Sequence, residues 1–271
     1  MRVGLIGGGA IARLFLEYRS RGAMGDVEVV AVMGRSENSR AKALAREFET
    51  AFVVERDQLI ALRPEVVLEA ASHTAVQDHV EALLSSGIAV IVLSAGALVD
   101  DALRQRLEHA AALHRALLYV PSGGIGGLDV LKAVCAAGAD EVTIAVNKPP
   151  VAWKNIPYVE RLGIDLDNLD AARTLFDGTA RDGVPHFPAN VNIAAALSLA
   201  GIGFDRTRLT VVADPALKFN THCIHIRGAT GSVEVRLENV PSPENPKTAM
   251  LACFSALAAF QQFGSAVRYG T

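Results

Sequence analysis

Through the first 120 residues, short apolar runs alternate with longer stretches whose apolar positions recur at helical spacing. The runs are VGLIG (from Val3), VEVVAVM (from Val27), VVLEA (from Val66), AVIVLS (from Ala89) and ALLYVPS (from Ala116), and helical stretches begin near Ala10, Asn38, Val76 and Asp101. Alternation of this kind predicts parallel strands joined by crossover helices, each strand buried on both faces. From about Cys135 the texture changes. DEVTIAVNK, RLTVVADP, CIHIRGA and GSVEVRLE read as strands, with helices expected near Asp170–Asp177 and Ala189–Leu199. That pattern predicts a mostly antiparallel sheet with helices on one face. The last segment, Thr248 to Phe263, is apolar on most faces (Met250, Leu251, Phe254, Leu257, Phe260), which predicts a helix packed back on the first domain or on another subunit.

The first strand runs into Gly7-Gly8-Gly9-Ala10-Ile11-Ala12, which fits G-x-G-x-x-A and opens a helix. In this strand–turn–helix context the motif is a dinucleotide-binding turn. Gly7 permits the tight turn, Gly9 lets the backbone approach the pyrophosphate, and Ala12 keeps helix and strand close. The unpaired N–H groups of the helix start, at Ala10 and Ile11, face the anion. The expected fold is therefore α/β: a Rossmann-type doubly wound parallel sheet over residues 1–120, and a second α+β domain on a mostly antiparallel sheet over 121–244. Residues 245–271 are expected to pack back on the first domain.

An acid about 20 residues past the glycines normally binds the adenine ribose of NAD. Here the second strand ends in Gly34-Arg35-Ser36. Arg35 is either a partner for a 2′-phosphate or a solvated surface arginine. On either reading NADP is expected to serve at least as well as NAD.

At 271 residues the chain has room for two domains, and 51% hydrophobic and 20% charged residues suit a globular protein. A net charge of −3 lacks the basic field that attracts phosphate backbones, so no nucleic-acid partner is expected. Cys135, Cys223 and Cys253 lie far apart without C-x-x-C spacing, which suggests neither a disulfide framework nor a metal site and fits a reducing cytoplasm. The chain enters directly as a strand and has no apolar run of bilayer-spanning length, so neither export nor membrane association is expected.

Oxidising an alcohol or amine needs a base, and histidine is the usual one. His79, His109 and His114 fall on expected helices of the first domain, whereas His73 follows the strand VVLEA and could lie near a cofactor. His222 is the stronger candidate. It stands in a polar cluster running from Asp214 through Lys218 and Asn220, where a sheet is expected to end in a cleft, and His225 should point to the opposite face. Local pattern leaves open that both are ordinary strand histidines. Asn190 and Asn192, at an expected helix start, are either caps or amides that hold a ligand. The glycines of Pro121–Gly127 suggest close approach to a ligand.

At these segments the chain resembles the L-aspartate dehydrogenase family. The resemblance runs through the glycine turn, PSGGIGGLD (Pro121–Asp129), FPANVNIAAALSLAG (Phe187–Gly201), ADPALKFNTHCIHIRGATG (Ala213–Gly231) and ENPKTAMLA (Glu244–Ala252). It implies that His222 is the catalytic residue and that Asn190 and Gly124 touch the dinucleotide; the family commonly has alanine at the position of Gly124. It also implies oxidation of L-aspartate to iminosuccinate with NAD or NADP, followed by hydrolysis to oxaloacetate and ammonia or release of the imine toward NAD biosynthesis. Hydride would leave the aspartate α-carbon for the nicotinamide while His222 accepts an amine proton or activates a water. The two substrate carboxylates need partners, and Lys148, Lys247 and Asn192 are available. A homodimer is expected from the apolar helices. Competing readings are a dehydrogenase of the same build acting on a sugar, homoserine or dihydrodipicolinate, and a non-catalytic NADP(H) sensor. Leu93-Ser94-Ala95-Gly96 stands where sugar-oxidising families carry E-K-P, which counts against the sugar.

Overall fold

The computed structural model describes residues 1–188, 190–242, 249–263 and 267. The described residues divide into two compact units, 1–121 with 253–263 and 267, and 122–188 with 190–242 and 249–252.

The first unit holds strands β1 (Arg2–Ile6), β2 (Glu28–Met33), β3 (Phe52–Val53), β4 (Val66–Glu69), β5 (Ala89–Val92) and β6 (Leu118–Tyr119). They form one parallel sheet in the order β3-β2-β1-β4-β5-β6. The order reverses between β1 and β4, which is where a doubly wound sheet opens a crevice at the carboxyl ends of its strands. β3 and the following helix Arg56–Ala61 were not read from the sequence, because two half-buried residues are too short to show a period. The helix expected from Asn38 starts at Arg40.

Helix Met250–Phe263 is the described part of the final segment; Thr248 lies outside the described residues. Its Ala256, Leu257, Ala259 and Phe260 belong to the same core cluster as Val3, Leu5, Phe15 and Leu68. Phe260 meets Phe15 edge-on at 4.7 Å between ring centroids, and Tyr119 meets Phe263 at 5.8 Å. The apolar face of this helix is thus occupied within the first unit.

The second unit is built on β7 (Ala139–Lys148), β8 (Arg173–Thr179), β9 (Thr207–Ala213), β10 (Asn220–Gly228) and β11 (Gly231–Asn239). Their order is β11-β10-β7-β9-β8, with β7 and β9 parallel and the other neighbours antiparallel. Helices Leu128–Ala137 and Asn192–Ala200 pack on the face that carries Val142, Ile144, Val146, Ile224 and Ile226. The helix expected over Asp170–Asp177 is not there. Residues Arg173–Thr179 are β8, paired antiparallel to β9 from Arg173↔Ala213 to Thr179↔Arg208. The threonines and Phe176 fit a pleated edge better than a helix, and the ladder to β9 outweighs a weak local preference.

The packing of the final helix predicts that Phe260→Ala destabilises the protein by about 3–5 kcal/mol, the usual cost of emptying a buried aromatic site. Urea unfolding followed by circular dichroism measures it; a loss under about 1 kcal/mol would show that the helix adds little to the first unit's core.

Candidate active site

In the first unit the glycine turn follows β1 at the switch point. Gly7 sits at φ +112°, and a Cβ there would lie 2.7 Å from the Ala70 carbonyl oxygen, so the turn closes directly on the end of β4. Gly8, a free position in the motif, is equally constrained: a Cβ would come within 2.3 Å of the Ala41 backbone nitrogen. Gly9 differs from both. A Cβ on Gly9 would meet nothing within 4 Å, and Gly9 is the N-cap of helix Ala10–Ser20, whose start no side chain caps and whose first turn carries no acid. An open approach to uncapped helix N–H groups at Ala10 and Ile11 fits a pyrophosphate. Ala12 is buried in the core between helix and sheet.

The walls of this crevice are held by Glu69, which has no solvent exposure. Its Oε1 accepts from Ala71 N (2.8 Å), Ser72 N (3.0 Å) and Ser94 Oγ (2.9 Å), and its Oε2 from Ser94 N (3.0 Å). Burial pushes the carboxyl above its ordinary range even though the four donors pull the other way. Sequence reading passed over this residue. A charged residue closing the apolar run VVLE was the available signal. His73 opens the next helix, behind the N-cap Ser72.

At the end of β2 a Cβ on residue 34 would lie 2.1 Å from Ser39 Oγ and 2.9 Å from Ala41 Cβ, so no side chain fits there in this packing. An acid is excluded by sterics at residue 34. Arg35 and Ser36 follow it, both exposed.

In the second unit, three of the expected site residues meet at one end of the sheet. Lys148, the last residue of β7, is 3% exposed, and its Nζ donates to the carbonyl oxygen of Asn190 (3.1 Å) and to Asn190 Oδ1 (3.2 Å). The ammonium also lies 5.2 Å from the centre of the Trp153 ring. Asn190 stands in a turn two residues before helix Asn192–Ala200, and its side-chain oxygen accepts from Lys148 instead of capping the helix. Asn192 is the first residue of that helix and is partly buried. Gly124 accepts a 2.7 Å hydrogen bond from Asn239 Nδ2, and a methyl at position 124 would make only ordinary contacts with Ala249, Asn239 and Ile193. Glycine in place of the family's alanine therefore marks no steric demand. Lys247 lies outside the described residues.

His222, on β10, pairs with Val146 on one side and Leu237 on the other, and His225 takes the opposite face beside Thr143. The alternation read from the sequence holds. The expectation that His222 opens on a cleft does not, because the residue is 2% exposed and its Nδ1 is buried without a partner. Burial first, and the Lys148 charge second, hold the imidazole at a pKa of about 3, against a weaker opposing pull from the Thr221 backbone. The ring is neutral at neutral pH, and a substrate that reaches it must displace what covers it. Asn220 and Asn239, also buried, were not assigned from the sequence. The signal for Asn220 was parity, since it stands two residues before His222 and so shares its face.

A family profile described as "Aspartate dehydrogenase, C-terminal" matches residues 129–263, and one described as "Homoserine dehydrogenase, NAD binding domain" matches 3–121. An L-aspartate dehydrogenase of Methanosarcina mazei is 41% identical over 100% of both chains. L-aspartate dehydrogenase 2 of Bordetella pertussis is 46% identical over 75% of this chain and 76% of its own. Among solved structures, aspartate dehydrogenase from Thermotoga maritima superposes with a TM-score of 0.76 at 28% identity, covering 100% of this chain and 99% of that one.

The burial of His222 has a measurable consequence. Its folded pKa of about 3 lies below the ordinary 6.5, so between those values the unfolded chain binds a proton that the folded chain refuses. Stability should fall as pH drops from 6.5, by up to about 1.4 kcal/mol per pH unit from this group alone. His222→Gln should flatten that slope in urea melts between pH 6.5 and 4.5. Equal slopes in both proteins would show that the ring takes up its proton without unfolding.

Proposed function

The chain belongs to the L-aspartate dehydrogenase family, and on that premise we propose that it oxidises L-aspartate to iminosuccinate with NAD or NADP. The imine then hydrolyses to oxaloacetate and ammonia or passes to NAD biosynthesis. The observation that carries this reading is the agreement of the whole chain, both units included, with aspartate dehydrogenases.

The glycine turn Gly7–Gly9 and the helix start at Ala10–Ala12 are the proposed pyrophosphate cradle, with Arg35 at the adenosine end and Asn190 and Gly124 as further dinucleotide contacts. Bound there, the nicotinamide supplies the hydride acceptor. His222 is the proposed base. Its neutral imidazole is in the protonation state a base requires, but a pKa near 3 makes it a weak one. The two substrate carboxylates oppose the Lys148 charge, the second cause of the lowered pKa after burial, and so make proton acceptance by the imidazole more favourable than in the empty site. As hydride leaves the α-carbon, the amine proton passes to His222 and the C=N bond forms. The same ring can then orient the water that hydrolyses the imine. Lys148, Asn192 and Lys247 remain the proposed carboxylate partners.

We place the protein in the cytoplasm and as a homodimer. Cys135 and Cys223 are in no disulfide, and no helix among the described residues is long and apolar enough to cross a membrane. The dimer reading is supported by the sheet face opposite the helices, where Thr143, Ala145, Cys223 and His225 are only partly covered. Ala145→Glu, in the middle of that face, should convert the dimer to a monomer in sedimentation velocity; a monomeric parent protein would remove the proposal.

Initial rates at 340 nm should show L-aspartate oxidised in preference to other amino acids, with NADP serving at least as well as NAD. A hundredfold preference for NAD would contradict the reading of the β2 end. His222→Ala should lower turnover by about 10²–10⁴-fold while leaving NADH affinity within twofold. Unchanged turnover would remove His222 from the chemistry.

A further inference from the structure

The face of the second sheet that carries His222 changes character at its end. Along β7 and β10 it presents Val142, Ile144, Val146, Ile224 and Ile226, all buried. One step past Val146 and His222 comes a polar row across three strands. Asn220 pairs with Asn239 on β11, and the ladder Thr221↔Asn147 brings Lys148 of β7 level with Asn220 on its other side. All three are buried, Asn220 at 1% exposure.

The members of this row differ in how their polar atoms are met. Asn239 donates to the Gly124 carbonyl and Lys148 to Asn190. Asn220 has neither kind of bond: its Oδ1 and Nδ2 are both buried with no partner, and so is Nδ1 of His222 two residues along. An unmet buried polar group costs about 1–3 kcal/mol, and native interiors keep few of them. Two residues with this defect, on one face and about 6.6 Å apart along the strand, form a site built for something else.

Resting on the aspartate oxidation proposed above, we infer that Asn220 is a substrate-recognition residue that binds the amino-acid head of L-aspartate. Its Nδ2 donates to a substrate carboxylate and its Oδ1 accepts from the substrate nitrogen. An amide unmet on both sides needs one acceptor and one donor from its ligand. An amino acid carries both, whereas an unsubstituted or 2-oxo dicarboxylate carries acceptors alone. Lys148, level with Asn220 on the neighbouring strand, puts a positive charge beside the carboxylate, and His222 stands on the same face to receive the amine proton.

The test compares the full chain with its Asn220→Leu and Asn220→Asp variants. Both share asparagine's branching and number of heavy atoms; leucine removes the polar atoms, and aspartate sets a carboxylate against a carboxylate. Asn220→Leu should raise the KM for L-aspartate by about 10–100-fold, with NADH affinity by fluorescence within twofold of the parent. Its melting temperature without substrate should be no lower than the parent's, because an unmet amide has been replaced by an apolar group of its shape. Asn220→Asp should raise KM further, and it decides the matter if the leucine variant unfolds. A KM within twofold of the parent in the folded variants overturns the inference and assigns the amide to a structural water. So does a parallel loss of NADH affinity, which makes Asn220 a structural residue. A parent protein that neither oxidises L-aspartate nor is stabilised by it with either nucleotide overturns the proposed function itself, and this inference falls with it.

Discussion

A carboxylate with no solvent exposure persists in a protein interior only where donors converge on it, and Glu69 has four. Those bonds tie the residues after β4 to Ser94, two residues past β5, so the loops at the carboxyl end of the first sheet are fixed by the side chain that closes a strand. The glycine turn depends on the result. Gly7 lies against the Ala70 carbonyl with no room for a Cβ, and Gly8 lies against the backbone of helix Arg40–Glu47. With β4 and that helix both fixed, the turn has one path to follow, and the start of helix Ala10–Ser20 is left uncapped beside open space. The geometry of the proposed anion site is a packing result before it is a property of three glycines.

The second unit meets the same problem with a different solution. An ammonium, three amides and an imidazole are buried at one end of an otherwise apolar sheet face, and they are only partly paired with one another. Lys148 satisfies Asn190 at the expense of His222, whose proton affinity its charge lowers. Anionic groups entering such a site would oppose the Lys148 charge, which after burial is what lowers the imidazole's proton affinity. A dicarboxylic amino acid is suited to that electrostatic imbalance, because it brings the negative charge that relaxes Lys148 and the proton that the imidazole then receives.

Strands with several consecutive buried residues were legible in the sequence, since burial on both faces leaves a run of Val, Ile and Leu, as in β1, β2, β4 and β5. Alternation placed His222 and His225 on opposite faces of β10 without coordinates. What failed was short or edge structure. β3 has two residues, and β8 is an edge strand whose burial is irregular, so neither shows a period; β8 acquires its identity from its ladder to β9. The site was legible by residue type but not by partnership. Lys148 and Asn190 were singled out for unrelated reasons, and their hydrogen bonds across 42 residues of sequence have no local signature. The burial of His222 was missed because a polar cluster in sequence does not say whether its members face water or each other.

The nucleotide's adenosine end shows how packing can decide chemistry by exclusion. A carboxylate at the end of β2 would hydrogen-bond a ribose 2′-hydroxyl and repel a 2′-phosphate. At an effective dielectric of about 20, two unit charges 4 Å apart repel by about 4 kcal/mol, enough on its own to enforce a large preference for NAD. In this chain the position is Gly34, and Ser39, Ala41 and Phe52 fill the volume that any side chain would need. At position 34 itself the repulsion cannot be reintroduced without shifting Ser39 and Ala41 at the start of helix Arg40–Glu47. The packing of the helix after β2 thus leaves the proposed adenosine site without an acid at position 34 to repel a 2′-phosphate, and Arg35, exposed at the next position, is the proposed source of attraction.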